Sequence, residues 1–484
     1  MPAKKPNLIV VVSDTLRAAD LGCYGGRDTR TPQMDVFASQ AAVFDAAYPE
    51  SLPTIPVRRA LHTGRRAYPF RDCRPVPWDI VYLPGWQPLD SREDTLAEHL
   101  VAQGYHTGFV TDTLPYFAPG MNFTRGFLQW EFVRGQQQDR WRSPHTVTDE
   151  MLRRFGDPAE ARRHEALLYH AANTAGVAGE EETSTARVFR WAMRFLEDNR
   201  RAQPFYLLVD AFAPHEPWDP PRSYFEIYAD PDAGPIVPFL PYQRDWAGLA
   251  PERVARAVAG YRGLVSLVDT WFGRFMEALG RLDLLEDTLV TLISDHGTNF
   301  GENPDHVVGK PSFALFPAVM QVPLIVRPPG REGPGRRIAE PVYNHDLTAT
   351  LFDLAGARSE QGLDGRSLRP LLEGAPGWQP REHLTCRYGD DLWCRDEAWW
   401  LIYALDGTLQ YAFDLAADPG CRSNRAHDCP EAARRLGWQR LLDDAGGEMP
   451  REDFRSKATD AIGRPVGEWL AAKRRRAAPS EAEG

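Results

Sequence analysis

The sequence predicts an α/β fold: a large mixed, mostly parallel sheet sandwiched by helices, with a small C-terminal α+β subdomain. Three observations carry this. The runs Asn7-Leu-Ile-Val-Val-Val12, Phe205-Tyr-Leu-Leu-Val209 and Thr288-Leu-Val-Thr-Leu-Ile293 are continuously apolar or β-branched, the mark of strands buried on both faces of a parallel sheet. Helical patterns separate them, at 95–103, 184–199 and 254–279, and such alternation builds a sheet covered on both sides. Polar groups follow three of the strands: Ser13-Asp14-Thr15, then Asp210 with Pro214-His215-Glu216-Pro217, then Ser294-Asp295-His296-Gly297. Open α/β sheets bind ligands beyond the carboxyl ends of their strands, so these exits are expected to converge on one site.

Weaker strand signals lie at Gly108-Phe-Val110 and Val322-Pro-Leu-Ile-Val326. A helix from Asp346 ends at Gly356, and a stretch punctuated by Gly and Pro runs to about Pro380. From His383 to about Asp418 the chain reads as short strands and turns, with Trp393, Trp399, Trp400 and Tyr403 to pack. The expected organisation is a catalytic α/β domain over 1–375, an antiparallel subdomain over 376–460 and a polar tail over 461–484. The segment from about Glu131 to Glu181 is polar and Arg-rich, an insertion that shapes a pocket or an oligomer contact.

Composition narrows the function classes. The 484 residues are 43% hydrophobic and 11% aromatic, enough for a packed core. A net charge of −11 and a pI near 5.6 argue against a protein that coats nucleic acid. The basic run Lys473-Arg-Arg-Arg476 reads as part of a solvated tail. No apolar run is long enough to span a membrane and no signal segment is evident, so a cytoplasmic protein without a membrane partner is expected. Six cysteines do not make a disulfide framework in a chain of this length. Cys386/Cys394 and Cys421/Cys429 are spaced too widely for a zinc knuckle and read as reduced, partly buried thiols.

The stretch Ser51-Leu-Pro-Thr54-Ile-Pro-Val-Arg58-Arg-Ala-Leu-His62-Thr-Gly-Arg65 reads as a loop that breaks through Pro53 into a short helix ended by Gly64. Unpaired N–H groups and the positive end of the dipole favour an oxyanion at such a start. Arg58, one turn on, adds a planar charged fork suited to a tetrahedral anion. The pattern resembles the signature of the sulfatases of the alkaline phosphatase superfamily: Cys or Ser, any residue, Pro, any residue, Arg, then Thr-Gly-Arg. Here it falls on Thr54, Pro56, Arg58 and Thr63-Gly64-Arg65, within a likeness covering roughly residues 7 to 425. That family oxidises its Cys or Ser to formylglycine, which a threonine cannot become.

The resemblance implies an alkaline phosphatase-like architecture and a set of site residues. Its metal ligands fall on Asp14, Asp295 and His296, with the nucleophile Thr54 completing the shell. One divalent cation is implied. The Asp-His form at 295–296 is similar to that of phosphonate monoester hydrolases and lipoteichoic acid synthases, which favours manganese over zinc, calcium or magnesium. Arg58 is expected to hold nonbridging oxygens, His215 to donate a proton to the leaving group, and Lys310 to reach the transferring group. His62 and Arg65 are expected to brace the site, and Thr113 or Asp112 to stand near substrate. Asp269 and His345-Asp346 read as structural.

The nucleophile selects the chemistry. A formylglycine hydrate expels sulfate with its second hydroxyl, whereas a threonine ester must be cleared by water attacking the central atom. Paired in-line displacements of that kind suit phosphoryl transfer. The expected function is a metal-dependent hydrolase that cleaves a phosphodiester or phosphonate monoester through Thr54, with a small-molecule ester as its partner and a homo-oligomer allowed. The competing readings are a sulfatase, a phosphotransferase and a non-catalytic binding protein of the same shape.

Overall fold

The computed structural model describes residues 5–71, 73, 83–118, 120–136, 139–230, 232, 234–242, 248–330 and 335–451. In chain order the strands are β1 (Asn7–Ser13), β2 (Ala42–Phe44), β3 (Ala47–Tyr48), β4 (Ser51–Leu52), β5 (His106–Thr111) and β6 (Gln129–Phe132). Then follow β7 (Phe205–Ala211), β8 (Thr288–Ile293), β9 (Asn299–Phe300), β10 (Val308–Gly309), β11 (Leu324–Arg327), β12 (Arg336–Ile338) and β13 (Val342–Tyr343). The last four are β14 (Leu384–Tyr388), β15 (Asp391–Arg395), β16 (Trp399–Ala404) and β17 (Leu409–Asp414). The expected tail over 461–484 lies outside the described residues.

The main sheet has eight strands in the order β12-β2-β11-β8-β1-β7-β5-β6. Strands β8, β1, β7, β5 and β6 run parallel, and β11 is the one reversed strand between β8 and β2. The weak signal at 322–326 is that reversed strand, begun only at Leu324 because Pro323 has no N–H to give a ladder. The sheet is thus mixed and mostly parallel, with one core on each face. Alternation along the strands divides them: Leu8, Val10, Val12, Tyr206 and Leu208 face one core, while Ile9, Val11, Leu207, Val209 and Ala211 face the other. The second core is covered by the helices Ser184–Asn199 and Pro251–Arg281.

The first core takes the helix Thr54–Thr63, which sends Ile55, Val57 and Leu61 against the sheet. Burial of each such side chain is worth about 1.5–3 kcal/mol. Gly64 stops the helix at a φ of 70° in the left-handed region, its N–H bonded to Ala60 O, as its position in the motif requires. The helix Leu96–Ala102 begins at a capping box formed by Thr95 and Glu98.

Strands β14 to β17 form an antiparallel meander, and β4 pairs parallel with β14 at its edge, Ser51 beside Arg387 and Leu52 beside Tyr388. The C-terminal sheet therefore fixes the strand that enters the Thr54 helix. Cys386 and Cys421 face the first core, Cys394 and Cys429 a separate one beneath the helix Glu431–Asp444. Among the described residues the cysteines form no disulfide, and the four do not form a metal-holding group. No helix of the described residues is long and apolar enough to cross a membrane.

Candidate metal centre and catalytic site

Parallel register brings the strand exits level. Val12 of β1 lies beside Asp210 of β7 and Ile293 of β8, and Thr111 of β5 also lies beside Asp210. Asp14 and Asp295, one and two residues past the ends of β1 and β8, emerge on the same edge. The Asp14 N–H extends the ladder to Ala211 O at 2.9 Å. Thr15 then turns at a φ of +63°, which a β-branched residue adopts only under constraint. Its N–H donates to Asp295 Oδ1 at 3.0 Å, its hydroxyl to Asp14 Oδ1 at 2.7 Å, and its carbonyl accepts from Tyr261 Oη at 3.0 Å.

Asp295 Oδ1 accepts a second backbone donor, His296 N–H, at 2.8 Å. That leaves Oδ2 turned inward, 3.3 Å from His296 Nε2. Next along the chain, Gly297 admits no side chain, because a Cβ there would collide with the carbonyl oxygen of Ala318. His296 Nδ1–H donates to Gly297 O at 3.0 Å, which fixes the tautomer, and Nε2 is buried without a hydrogen bond.

Arg58 is fully buried and stands one turn past Thr54 on the helix face that meets the sheet. Asp210 follows Leu208 by two residues and so points to that same face. The two meet in a fork: Arg58 Nε reaches Asp210 Oδ2 at 3.1 Å and Nη2 reaches Oδ1 at 3.0 Å. Nη2 also lies 3.0 Å from Asp14 Oδ2, and Nη1 donates to Asp295 Oδ2. Tyr116 Oη and Thr113 Oγ1 donate to Asp210 at 2.6 and 3.2 Å.

One ligand atom each from Asp14, Asp295 and His296 lies within 4.8 Å of the others, all three residues being buried. Three carboxylates face a single guanidinium here, an excess of negative charge that suits a cation. Burial and the charge of Asp295 push the Asp14 carboxyl well above its usual range. Burial works the same way on Asp295, but Arg58 and then His296 override it and hold that carboxyl low. Burial pulls His296 down to about 4, so its imidazole is neutral, the ligand form. The residues present fit a divalent cation with oxygen and imidazole ligands.

Thr54 opens the helix after Pro53 and is buried. His215 and Lys310 flank the centre and meet at Glu216, a residue of the same strand exit to which the sequence analysis gave no role of its own. Lys310 Nζ lies 3.1 Å from Glu216 Oε2 and 3.5 Å from Thr15 Oγ1, and Tyr242 Oη donates to Glu216 Oε1. His215 Nδ1–H donates to the Glu216 carbonyl at 2.7 Å. Burial pulls the pKa of His215 to about 3, with the Lys310 charge adding to it against the Glu216 carboxylate.

Other expectations fared differently. His62 is buried among Phe109, Tyr116, Phe123 and Phe127 and packs behind Arg58. Arg65 does not brace the centre, because the helix has ended before it and its guanidinium donates to Gln361. Thr113 reaches Asp210, and Asp112 accepts from Phe212 N–H at 2.7 Å, so both are turned into the fold. Asp269 receives the N–H groups of Gln33 and Met34, and Asp346 holds Arg381 in a fork, both structural as expected. Asp210 had a legible signal: a carboxylate inside the buried strand Phe-Tyr-Leu-Leu-Val-Asp-Ala needs a partner.

Comparison with known proteins agrees with this architecture. An arylsulfatase of Clostridium perfringens is 26% identical over 455 residues, spanning 86% of this chain and 89% of that protein. A choline-sulfatase of Rhizobium meliloti is 26% identical over 455 residues, spanning 87% and 82%. Among solved structures, the phosphonate monoester hydrolase of Agrobacterium radiobacter superposes with a TM-score of 0.69 at 23% identity, covering 92% of this chain and 96% of that one. The family model described as Sulfatase matches residues 6–357, and the chain belongs to the sulfatase family.

Proposed function

We propose that this sulfatase-family chain is a metal-dependent hydrolase of phosphodiesters or phosphonate monoesters, with Thr54 as nucleophile. The observation that carries the reading is the grouping of Asp14, Asp295 and His296, with Arg58 of the helix that begins at Thr54 paired to both aspartates. Asp14, Asp295 and His296 would hold the cation, manganese being favoured by the Asp-His pair. A cation held there would supply Lewis acidity that lowers the pKa of a neighbouring hydroxyl and offsets negative charge; the Thr54 hydroxyl gives its proton to solvent.

The chain's own groups do the rest. Thr54 Oγ1 bonds to phosphorus as the bond from phosphorus to the leaving alcohol breaks. Arg58 and Lys310 offset the charge on the remaining oxygens. His215 is neutral before an ester binds, and the negative charge of the arriving ester raises its pKa so that Nε2 takes a proton from solvent and passes it to the departing alkoxide. Neutral again, it takes a proton from water as that water attacks phosphorus and releases Thr54. Glu216 holds Lys310 and, through its carbonyl, the Nδ1–H tautomer of His215.

A sulfate-ester reading draws support from the named sulfatase relatives. One panel separates the two: aryl phosphodiester, aryl phosphonate, aryl phosphate and aryl sulfate, assayed after chelation and again with manganese restored. The expected result is turnover of the phosphodiester or phosphonate only with metal present, and a phosphothreonine at Thr54 trapped by acid quench and mass spectrometry. Turnover of sulfate alone would establish the sulfatase, and no turnover with metal restored would leave a binding protein.

A further inference from the structure

The Arg-rich segment that the sequence left unassigned builds a cavity of about 910 Å³. Its walls come from the helix Glu165–Thr174, the start of the helix Ser184–Asn199, the turn around Pro220 and the helix Pro251–Arg281. None of Asp14, Thr54, Arg58, His215, Asp295, His296 or Lys310 lines it. The lining includes seven arginines against three carboxylates, so it is rich in cationic donors.

Most of these arginines are occupied. Arg134 is forked onto Asp139, Arg154 lies 3.0 Å from Asp219, and Arg256 caps the carbonyls of Asp230, Gly234 and Pro235. Arg142 and Arg187 are different, since among the described residues neither has a carboxylate partner. Both guanidinium groups lie over Trp141, at 4.6 and 5.8 Å from its ring, and Arg187 donates to the Arg134 carbonyl at 3.0 Å. Trp141 is 40% exposed. The wall also carries His170, which is 5% exposed; its Nε2 is 2.9 Å from Asp219 Oδ2, and its Nδ1 is buried without a hydrogen-bond partner.

We propose that this cavity binds an organic anion with a planar apolar body, at a site distinct from the metal centre. Arg142 and Arg187 would take the carboxylate, sulfonate or phosphate group with their forked N–H donors, and the indole of Trp141 would cover the body. The inference does not rest on the proposed hydrolysis, and its test reads binding alone.

The probe is naphthalene-1-sulfonate, which has no ester bond to cleave, titrated calorimetrically into the full chain. Binding is expected to weaken at least about tenfold in Arg142→Ala/Arg187→Ala and in Trp141→Ala, and to persist in Thr54→Ala. Arg142→Lys, which keeps the charge but loses the fork, is expected to weaken it several-fold and serves if the double variant fails to fold. Undiminished binding in the arginine variants, loss of binding in Thr54→Ala, or no binding to the unaltered chain would overturn the site. Inorganic sulfate binding as tightly as the probe would overturn the planar body.

Discussion

Arg58 and Asp210 are joined in a fork of 3.1 and 3.0 Å that locks the Thr54 helix to the centre of the sheet. The pair is fully buried, and two further donors, Tyr116 and Thr113, saturate the carboxylate. Asp210 thus aims the guanidinium, while Asp14 and Asp295 share its outer nitrogens.

Asp210→Asn keeps the shape and removes the charge. Breaking one partner of a buried ion pair costs about 3 kcal/mol or more, so a loss of that order is expected in urea unfolding. The turnover that remains should fall at least about tenfold, because a misplaced Arg58 no longer offsets phosphoryl charge. Normal activity in Asp210→Asn would mean that Arg58 is held well enough by Asp14 and Asp295 alone.

Thr54→Ser and Thr54→Ala separate the nucleophile from the helix start. Serine keeps the hydroxyl and should retain activity within about tenfold of the original, whereas alanine should lose at least about a thousandfold. The helix is capped by Pro53 rather than by the Thr54 side chain, so neither change should lower the melting temperature by more than a degree or two. Residual turnover by Thr54→Ala near that of the unaltered chain would remove threonine from the mechanism.

Strand and motif patterns carried much of this site, and the reason is geometric. Continuous apolar runs identify β1, β7 and β8, and parallel register then brings Asp14, Asp295 and His296 to one edge whatever the loops do. The same reasoning placed Glu216 at a strand exit without a role and did not reach Tyr242, because their partnership with Lys310 depends on how the loop after β7 folds back. It also could not tell that Arg58 spends its nitrogens on three carboxylates, because that depends on a helix crossing the sheet at a depth no local pattern encodes. Strand β4 escaped for a related reason: two residues have no periodicity, and only pairing with β14 makes them a strand.

Metal dependence should appear in stability as well as in turnover. A ligand that binds only the folded chain adds about 2.7 kcal/mol at one hundred times its Kd. Manganese added to chelated protein is therefore expected to raise the melting temperature by several degrees. His296→Ala removes the neutral imidazole ligand and should abolish most of that rise, measured against the variant's own chelated form. A rise of equal size in His296→Ala would place the cation elsewhere.

The buried His62 gives a pH dependence whose sign can be worked out. Burial first, then the nearby charges of Arg58 and Arg125, lower its pKa from 6.5 to about 3. Between those values the unfolded chain binds a proton that the folded chain does not, so stability falls as pH drops below about 6.5. From pH 7 to pH 5 this one group costs about 2 kcal/mol. His62→Phe fills the same aromatic cage with a ring that cannot titrate. Urea unfolding at the two pH values should show the unaltered protein losing about 2 kcal/mol relative to the variant; a gap that does not change with pH would mean that the imidazole is protonated as readily inside the cage as in water.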